Sequence, residues 1–301
     1  MLSLSVKIAN LTLPNPVTVA SGTFGNGEEM SELIDIKKLG GIFLKGTTLH
    51  PRAGNLPQRI VETPSGIINS IGLQNGGLED TLKNKAPFVK QNGIPCIINI
   101  SGSSDDEFAE MAKRIDSCDN VDAIEMNVSC PNVKHGGIAF GTDPVILSEA
   151  VKKTRAATTK PLIVKLSPNV TDITVMARAA EESGADALSM INTLIGMVID
   201  TKKRVPVLAN KIGGLSGPAI RPVAIRMVWQ VAQVVKIPII GIGGIESLDD
   251  ALQFFIAGAS AIQIGTANFY DPELCVRLVE EIKKYLEENN LKSINELRGN
   301  F

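Results

Sequence analysis

Cysteine and histidine are both scarce in this sequence. Four cysteines, at 96, 118, 130 and 275, and two histidines, His50 and His135, are spread over 301 residues, and no two cysteines are spaced C-x-x-C. This excludes a zinc or iron–sulfur site held by the chain alone, and it fits reduced thiols in a cytosolic protein. Neither sign of charge prevails. The net charge is −2, so no basic field gathers nucleic acid. No apolar run approaches the ~20 residues of a membrane span. The opening MLSLSVKIANLTLPNP places Lys7 and Asn10 where a signal peptide requires an unbroken apolar core. These absences predict a soluble, cytoplasmic protein with neither nucleic acid nor membrane as partner. No G-x-G-x-x-G follows the first strand-like run, and GIGGIE at 241–246 comes too late for that role. An open, doubly wound dinucleotide-binding sheet is therefore disfavoured.

What the chain does contain is a regular alternation. Eight short apolar runs occur at 16–21, 41–47, 95–101, 123–129, 161–167, 187–193, 237–244 and 261–267. Amphipathic stretches lie between them, near 28–39, 80–92, 104–116, 144–157, 172–183, 218–235, 247–257 and 272–289. Ser104, Asp143, Thr171, Ser247 and Asp271 are placed to cap helices, and Pro144, Pro218 and Pro272 suit a first helical turn. Eight strands alternating with eight helices predict a parallel sheet closed as a TIM (β/α)8 barrel, since ~250 residues is the usual size of that fold. We expect one domain over 1–301, long loops after strand 2 (48–79), strand 4 (130–143) and strand 6 (194–217), and an N-terminal hairpin in SLSVKIANLTL.

In such a barrel the chemistry sits where the strands end, and here those ends are polar. Ser21 follows strand 1, Lys45 and Thr47 lie in strand 2, Asn99 in strand 3, Asn127 in strand 4, Lys165 in strand 5, and Asn192 and Thr193 after strand 6. A lysine inside an apolar strand is costly if buried and unpaired. The two lysines either reach the rim or a carboxylate, or they serve a bound anion or electron-rich ring. Their matching late-strand positions favour the second. Glycines end strands 7 and 8, in GIGGI and IGTA, where backbone N–H groups can approach a phosphate. A phosphorylated, hydrogen-bonding ring suits this set. Flavin mononucleotide (FMN) fits, although residue types alone do not name the ligand. In NVSCPNVKHGGIAFG (127–141), Cys130 follows the apolar run AIEM and enters a glycine-rich loop, which is no place for a core thiol.

Ten motifs carry a resemblance: ASGTFG (20–25), LKGTT (44–48), NSIGLQN (69–75), INISG (98–102), EMNVSCPN (125–132), VKLSPN (164–169), INT (191–193), GGLSG (213–217), GIGGI (241–245) and IGTA (264–267). Through them the chain resembles the class 1 dihydroorotate dehydrogenases, most closely the B type, nearly end to end. NSIGLQN and NVSCPN together are the most specific. The resemblance implies FMN in the barrel mouth and oxidation of dihydroorotate to orotate, with hydride leaving C6 for flavin N5 and a proton leaving C5 for Cys130, the family's catalytic base. It further implies FMN contacts from Ser21, Lys45, Thr47, Asn99, Asn127, Lys165, Ile191, Gly217, Gly243, Gly244, Gly265 and Thr266. Orotate contacts are implied for Lys45, Asn69, Ser70, Ile71, Gly72, Leu73, Asn127, Asn192 and Thr193. Membrane-bound class 2 members carry an N-terminal extension and a serine base, and neither is read here. B-type members pass electrons to NAD through a separate subunit bearing FAD and a [2Fe–2S] cluster, which implies a homodimeric core within a heterotetramer. His135 shares the Cys130 loop and is expected to meet solvent or a partner. An A-type, fumarate-linked enzyme, another FMN barrel reductase acting on dihydropyrimidines, a phosphate-binding isomerase and a scaffold barrel remain as alternatives.

Overall fold

The computed structural model of the chain describes residues 2–129 and 140–299. Each of the eight apolar runs contains one strand: β1 (Val17–Val19), β2 (Gly41–Thr47), β3 (Cys96–Ile100), β4 (Ala123–Asn127), β5 (Leu162–Lys165), β6 (Ala187–Met190), β7 (Ile239–Ile242) and β8 (Ala261–Ile264). Every neighbouring pair is parallel, the order follows the sequence, and β8 returns to β1 to close the barrel. The residues of these strands are almost all buried, because helices cover the outside while side chains fill the inside. The hairpin of Val6–Ile8 with Leu11–Leu13 forms as expected.

Four helices match closely: Asp105–Asp116, Pro144–Ala156, Ile173–Glu182 and Leu248–Ala257. Ser104, Asp143 and Ser247 accept backbone N–H bonds at their N-termini, as read from the sequence. The other caps differ. Asp172, and not Thr171, accepts the Thr174 N–H, because a carboxylate one residue nearer reaches that donor. Asp271 pairs with Arg277 and also accepts the Glu273 and Leu274 N–H groups, so it sits at the start of the last helix, which begins at Leu274, beyond Pro272. Pro218 opens a short 3-10 turn (Pro218–Ile220) ahead of the helix Arg221–Ala232. The helix expected over 28–39 is replaced by 3-10 turns at Glu29–Glu32 and Ile36–Lys38. There Asp35 accepts the Lys37 N–H with its side chain, a local bond that competes with a continuous helix. The stretch near 80–92 is helical but interrupted by a π-turn over Thr81–Lys85. Pro87, in the turn that follows, lacks an N–H, so the hydrogen-bond ladder changes register there.

Two of the long loops are not irregular. Ile60–Thr63 and Gly66–Asn69, after β2, join Leu194–Gly196 and Gly213–Ser216, after β6, in a four-stranded antiparallel sheet. Asn69 pairs with Gly214 in it. This sheet bridges opposite sectors of the barrel on the side where the strands end. The loop after β4 lies largely outside the described residues.

Candidate active site

Side chains alternate along a strand, so Glu125 and Asn127 of β4 share the inner face. The register places Asn99 beside Glu125 and Lys165 beside Asn127, and Ser189 of β6 beside Lys165. A polar layer therefore crosses the barrel interior, where branched apolar side chains are usual. At its centre is Glu125, fully buried. Asn99 Nδ2 donates to its Oε2 at 2.5 Å, while Ser189 Oγ (2.7 Å) and Gln263 Nε2 (2.9 Å) donate to its Oε1. Lys165 Nζ lies 3.6 Å from Oε2 with its side chain almost wholly buried. Lys165 thus reaches a carboxylate, the alternative its sequence context disfavoured. Glu125, Ser189 and Gln263 lie among the polar residues inside apolar runs as the lysines do, yet only the register shows that they meet.

Lys45 behaves differently. It is half-buried in β2 and has no ion-pair partner among the described residues. Burial holds its pKa below the ordinary lysine value of 10.5. Thr47, beside it, donates to the Lys45 carbonyl at 2.8 Å and meets Thr81 Oγ1 at 3.1 Å, so its hydroxyl is engaged within the protein. Ser21 is buried just beyond β1.

Asn127 and Asn192 meet: Asn192 Nδ2 donates to Asn127 Oδ1 at 3.2 Å, and Asn192 Oδ1 accepts the Thr193 N–H. Ile191 is buried between β6 and this pair. Asn69, Ser70, Ile71, Gly72 and Leu73 form an arch from the small sheet back to β2. Asn69 Nδ2 donates to the Gly214 carbonyl at 3.3 Å. Asn55 donates to Ser70 Oγ, and its N–H reaches the Ile71 carbonyl. Gly72 adopts a left-handed φ of 75°. Leu73 Cδ2 would lie 3.3 Å from a Cβ built on Gly46, so the arch leans over β2 beside Asn99.

The glycines assemble on the other side of the mouth. Gly243 and Gly244 follow β7 with φ of 137° and 70°, and Gly217 has φ 99°. A Cβ on Gly244 would lie 2.6 Å from the Gly217 carbonyl oxygen, so the two loops touch backbone to backbone. Arg221 Nη1 donates to the Gly244 carbonyl at 3.0 Å and pairs with Asp250 at 2.8 Å. Gly265 follows β8, with only Ala20 Cβ near the place its own Cβ would take, and Thr266 Oγ1 meets Ser216 Oγ at 2.8 Å. Cys130 and His135 lie outside the described residues.

Five buried side-chain polar atoms lack a partner among the described residues. Three of them, Asn99 Oδ1, Ser101 Oγ and Ser129 Oγ, lie at the ends of β3 and β4, and a fourth, Gln263 Oε1, belongs to the same interior layer. Buried polar atoms are normally paired. Orphan acceptors and hydroxyls, an unpaired lysine and a glycine-lined cradle together fit a phosphorylated ring with polar edges.

A family model described as dihydroorotate dehydrogenase matches residues 3–286. A Trichlorobacter lovleyi protein named dihydroorotate dehydrogenase B (NAD(+)), catalytic subunit, is 56% identical over 297 residues, covering 99% of this chain and 98% of its own. The protein of the same name from Geobacter sulfurreducens is 55% identical, covering 98% and 97%. A crystal structure of Eimeria tenella DHODH in complex with ferulenol superposes with a TM-score of 0.80, covering 98% of this chain and 88% of that one, at 24% identity, which bears on the fold.

Proposed function

Because the chain belongs to the dihydroorotate dehydrogenase family and is an oxidoreductase of that kind, we propose that it oxidises dihydroorotate to orotate with FMN at the barrel mouth, as the catalytic subunit of an NAD-linked enzyme. The observation that carries this reading is the meeting of Lys45, Asn99, Asn127, Lys165 and Asn192 around one strand-end rim, with unpaired acceptors among them. FMN, when bound, supplies the two-electron acceptor. Gly217, Gly243, Gly244, Gly265 and Thr266 hold its phosphate through backbone N–H groups and a hydroxyl. Ser21, Thr47, Asn99, Asn127, Lys165 and Ile191 line its ring, and Lys165 carries positive charge toward the ring's acceptor edge. Asn69, Ser70, Ile71, Gly72, Leu73, Asn127, Asn192 and Thr193 orient the flat substrate by its amide edges. Lys45, which has no anionic partner among the described residues, offers its ammonium to the substrate carboxylate. Cys130 removes the C5 proton. The thiolate is the basic form, so its step should quicken as pH rises toward the thiol range.

The NAD-linked reading comes from the names of the relatives. With it we infer an electron-transfer subunit bearing FAD and [2Fe–2S], a homodimeric catalytic core in a heterotetramer, and a cytoplasmic location. Among the described residues no helix is long and apolar enough to cross a membrane.

An absorbance spectrum of the purified chain, taken before and after adding dihydroorotate, tests the proposal. A flavin band that bleaches is expected, and a colourless protein, or a band unmoved by dihydroorotate, refutes it. In Cys130→Ala the band should persist while its bleaching slows by about 10²–10⁴-fold. Unchanged kinetics would remove the base assignment.

A further inference from the structure

Glu125 is the one fully buried carboxylate in the barrel interior among the described residues, and nothing in the chemistry above uses it as acid or base. An isolated carboxylate there would cost several kcal/mol. Here it is compensated from four strands: by Asn99 on β3, Lys165 on β5, Ser189 on β6 and Gln263 on β8. Two features of that compensation point upward to the mouth.

The first is orientation. An ionised carboxylate only accepts hydrogen bonds. Asn99 must therefore turn Nδ2 toward Glu125, which leaves Oδ1 facing away and unpaired. The amide is fixed with its acceptor on the side of Gly46 of β2, under the Leu73 arch. The second is charge. Lys165 Nζ lies 3.6 Å from Oε2, within ion-pair range but beyond hydrogen-bond length. Its charge is partly balanced by Glu125, and its Nζ makes no hydrogen bond among the described residues.

We propose that Glu125 is a positioning residue that sets the reduction potential of the bound flavin, by fixing the Asn99 amide as an acceptor and by partly offsetting the charge of Lys165. The inference rests on the FMN reading above. A carboxylate beneath the ammonium weakens the pull of Lys165 on the negative charge that a flavin gains on reduction. Glu125 therefore holds the potential lower than Lys165 alone would set it.

Glu125→Gln removes the charge and keeps the shape. Its new amide donor can be accepted by Gln263 Oε1, which lacks a partner among the described residues, so the layer can be re-satisfied by one amide flip. The experiment is a dye-referenced redox titration of the FMN-loaded full chain, with dissociation of oxidised FMN measured in parallel. In Glu125→Gln the affinity for reduced relative to oxidised FMN should rise at least tenfold, a positive shift of about 30 mV for a two-electron couple. In a Lys165→Met background the same substitution should shift the potential by less than a third as much, because the charge being offset is gone. A potential unchanged in Glu125→Gln, or a shift undiminished in the Lys165→Met background, overturns the proposal and leaves the FMN reading intact. If Glu125→Gln does not fold, Glu125→Asp, which withdraws the carboxylate by one methylene, should give a smaller shift of the same sign, and no shift there overturns it too. A wild-type chain that retains no FMN defeats the reading itself, and the proposal with it.

Discussion

Lys45 and Lys165 have the same chemistry in the sequence and opposite circumstances in the fold. Lys165 has Glu125 3.6 Å away, whereas Lys45 has no carboxylate partner among the described residues, and burial holds its pKa down. Its ammonium is thus a cost to the ligand-free protein, one that binding the proposed substrate carboxylate would offset. A lysine with a lowered folded pKa carries its full penalty below that pKa and loses it as pH climbs toward the unfolded value. Lys45→Met should therefore raise the melting temperature of the ligand-free chain at neutral pH, by about 2–4 °C for each kcal/mol relieved. The gap to wild type should narrow as pH rises, while orotate binding weakens at least tenfold. A variant that melts lower than wild type at neutral pH would show that the ammonium is compensated after all. At this scale the sequence was legible through polarity out of place: both lysines and the rim asparagines stood out in apolar runs. Glu125 carried the same mark, and its role became readable only when the register put Asn99 and Lys165 beside it. Cys275 shows the converse. Its thiol donates to Asn268 Oδ1, and burial pushes its pKa up to about 12, the state of a packing residue rather than a base.

At the scale of elements, the strands and the well-capped helices were legible because their causes are local. An apolar run bounded by turn residues, or a serine or aspartate before an amphipathic stretch, needs no distant partner. The small sheet over the mouth was not legible, because its strands are only three or four residues long and its central pairing, Gly66–Asn69 with Gly213–Ser216, joins segments 145 residues apart. The glycine cradle lies between these cases. Its residues were visible in GIGGI and IGTA, but the contact between Gly244 and Gly217 was not. That contact gives an element-level prediction. Gly244→Ala places a methyl 2.6 Å from the Gly217 carbonyl oxygen at a φ of 70°, so the two loops must part and their N–H groups lose their common aim. The barrel strands stand apart from this contact. FMN retention should fall at least tenfold with the far-ultraviolet circular dichroism unchanged. Equal retention by dialysis would show that the phosphate is held elsewhere.

For the whole molecule the question is where the electrons go. Electrons delivered to a barrel mouth must leave it for turnover to continue, and NAD is the acceptor named for relatives that match this chain nearly end to end. The fingerprint of a dinucleotide-binding βαβ unit is a glycine turn between a strand and a helix early in the unit, with an acidic residue some twenty residues on. The chain's glycine turn after β7 is instead folded against Gly217 and tied through Arg221 to Asp250, a compact cradle suited to one phosphate. Its cysteines include no C-x-x-C pair, and Cys96 and Cys275 are buried in the core with thiol pKa values raised by burial. On the proposed function, the two electrons taken from the substrate would pass to NAD through a partner subunit rather than directly from this chain. Mixed with dihydroorotate and NAD, the purified chain should form about one orotate per flavin and then stop, with no NADH absorbance. Adding an electron-transfer subunit that carries FAD and [2Fe–2S] should start steady NADH production. Sustained NADH formation by the chain alone would show that the mouth accepts the nicotinamide directly. Sustained turnover with fumarate in place of NAD would assign the chain to the fumarate-linked type.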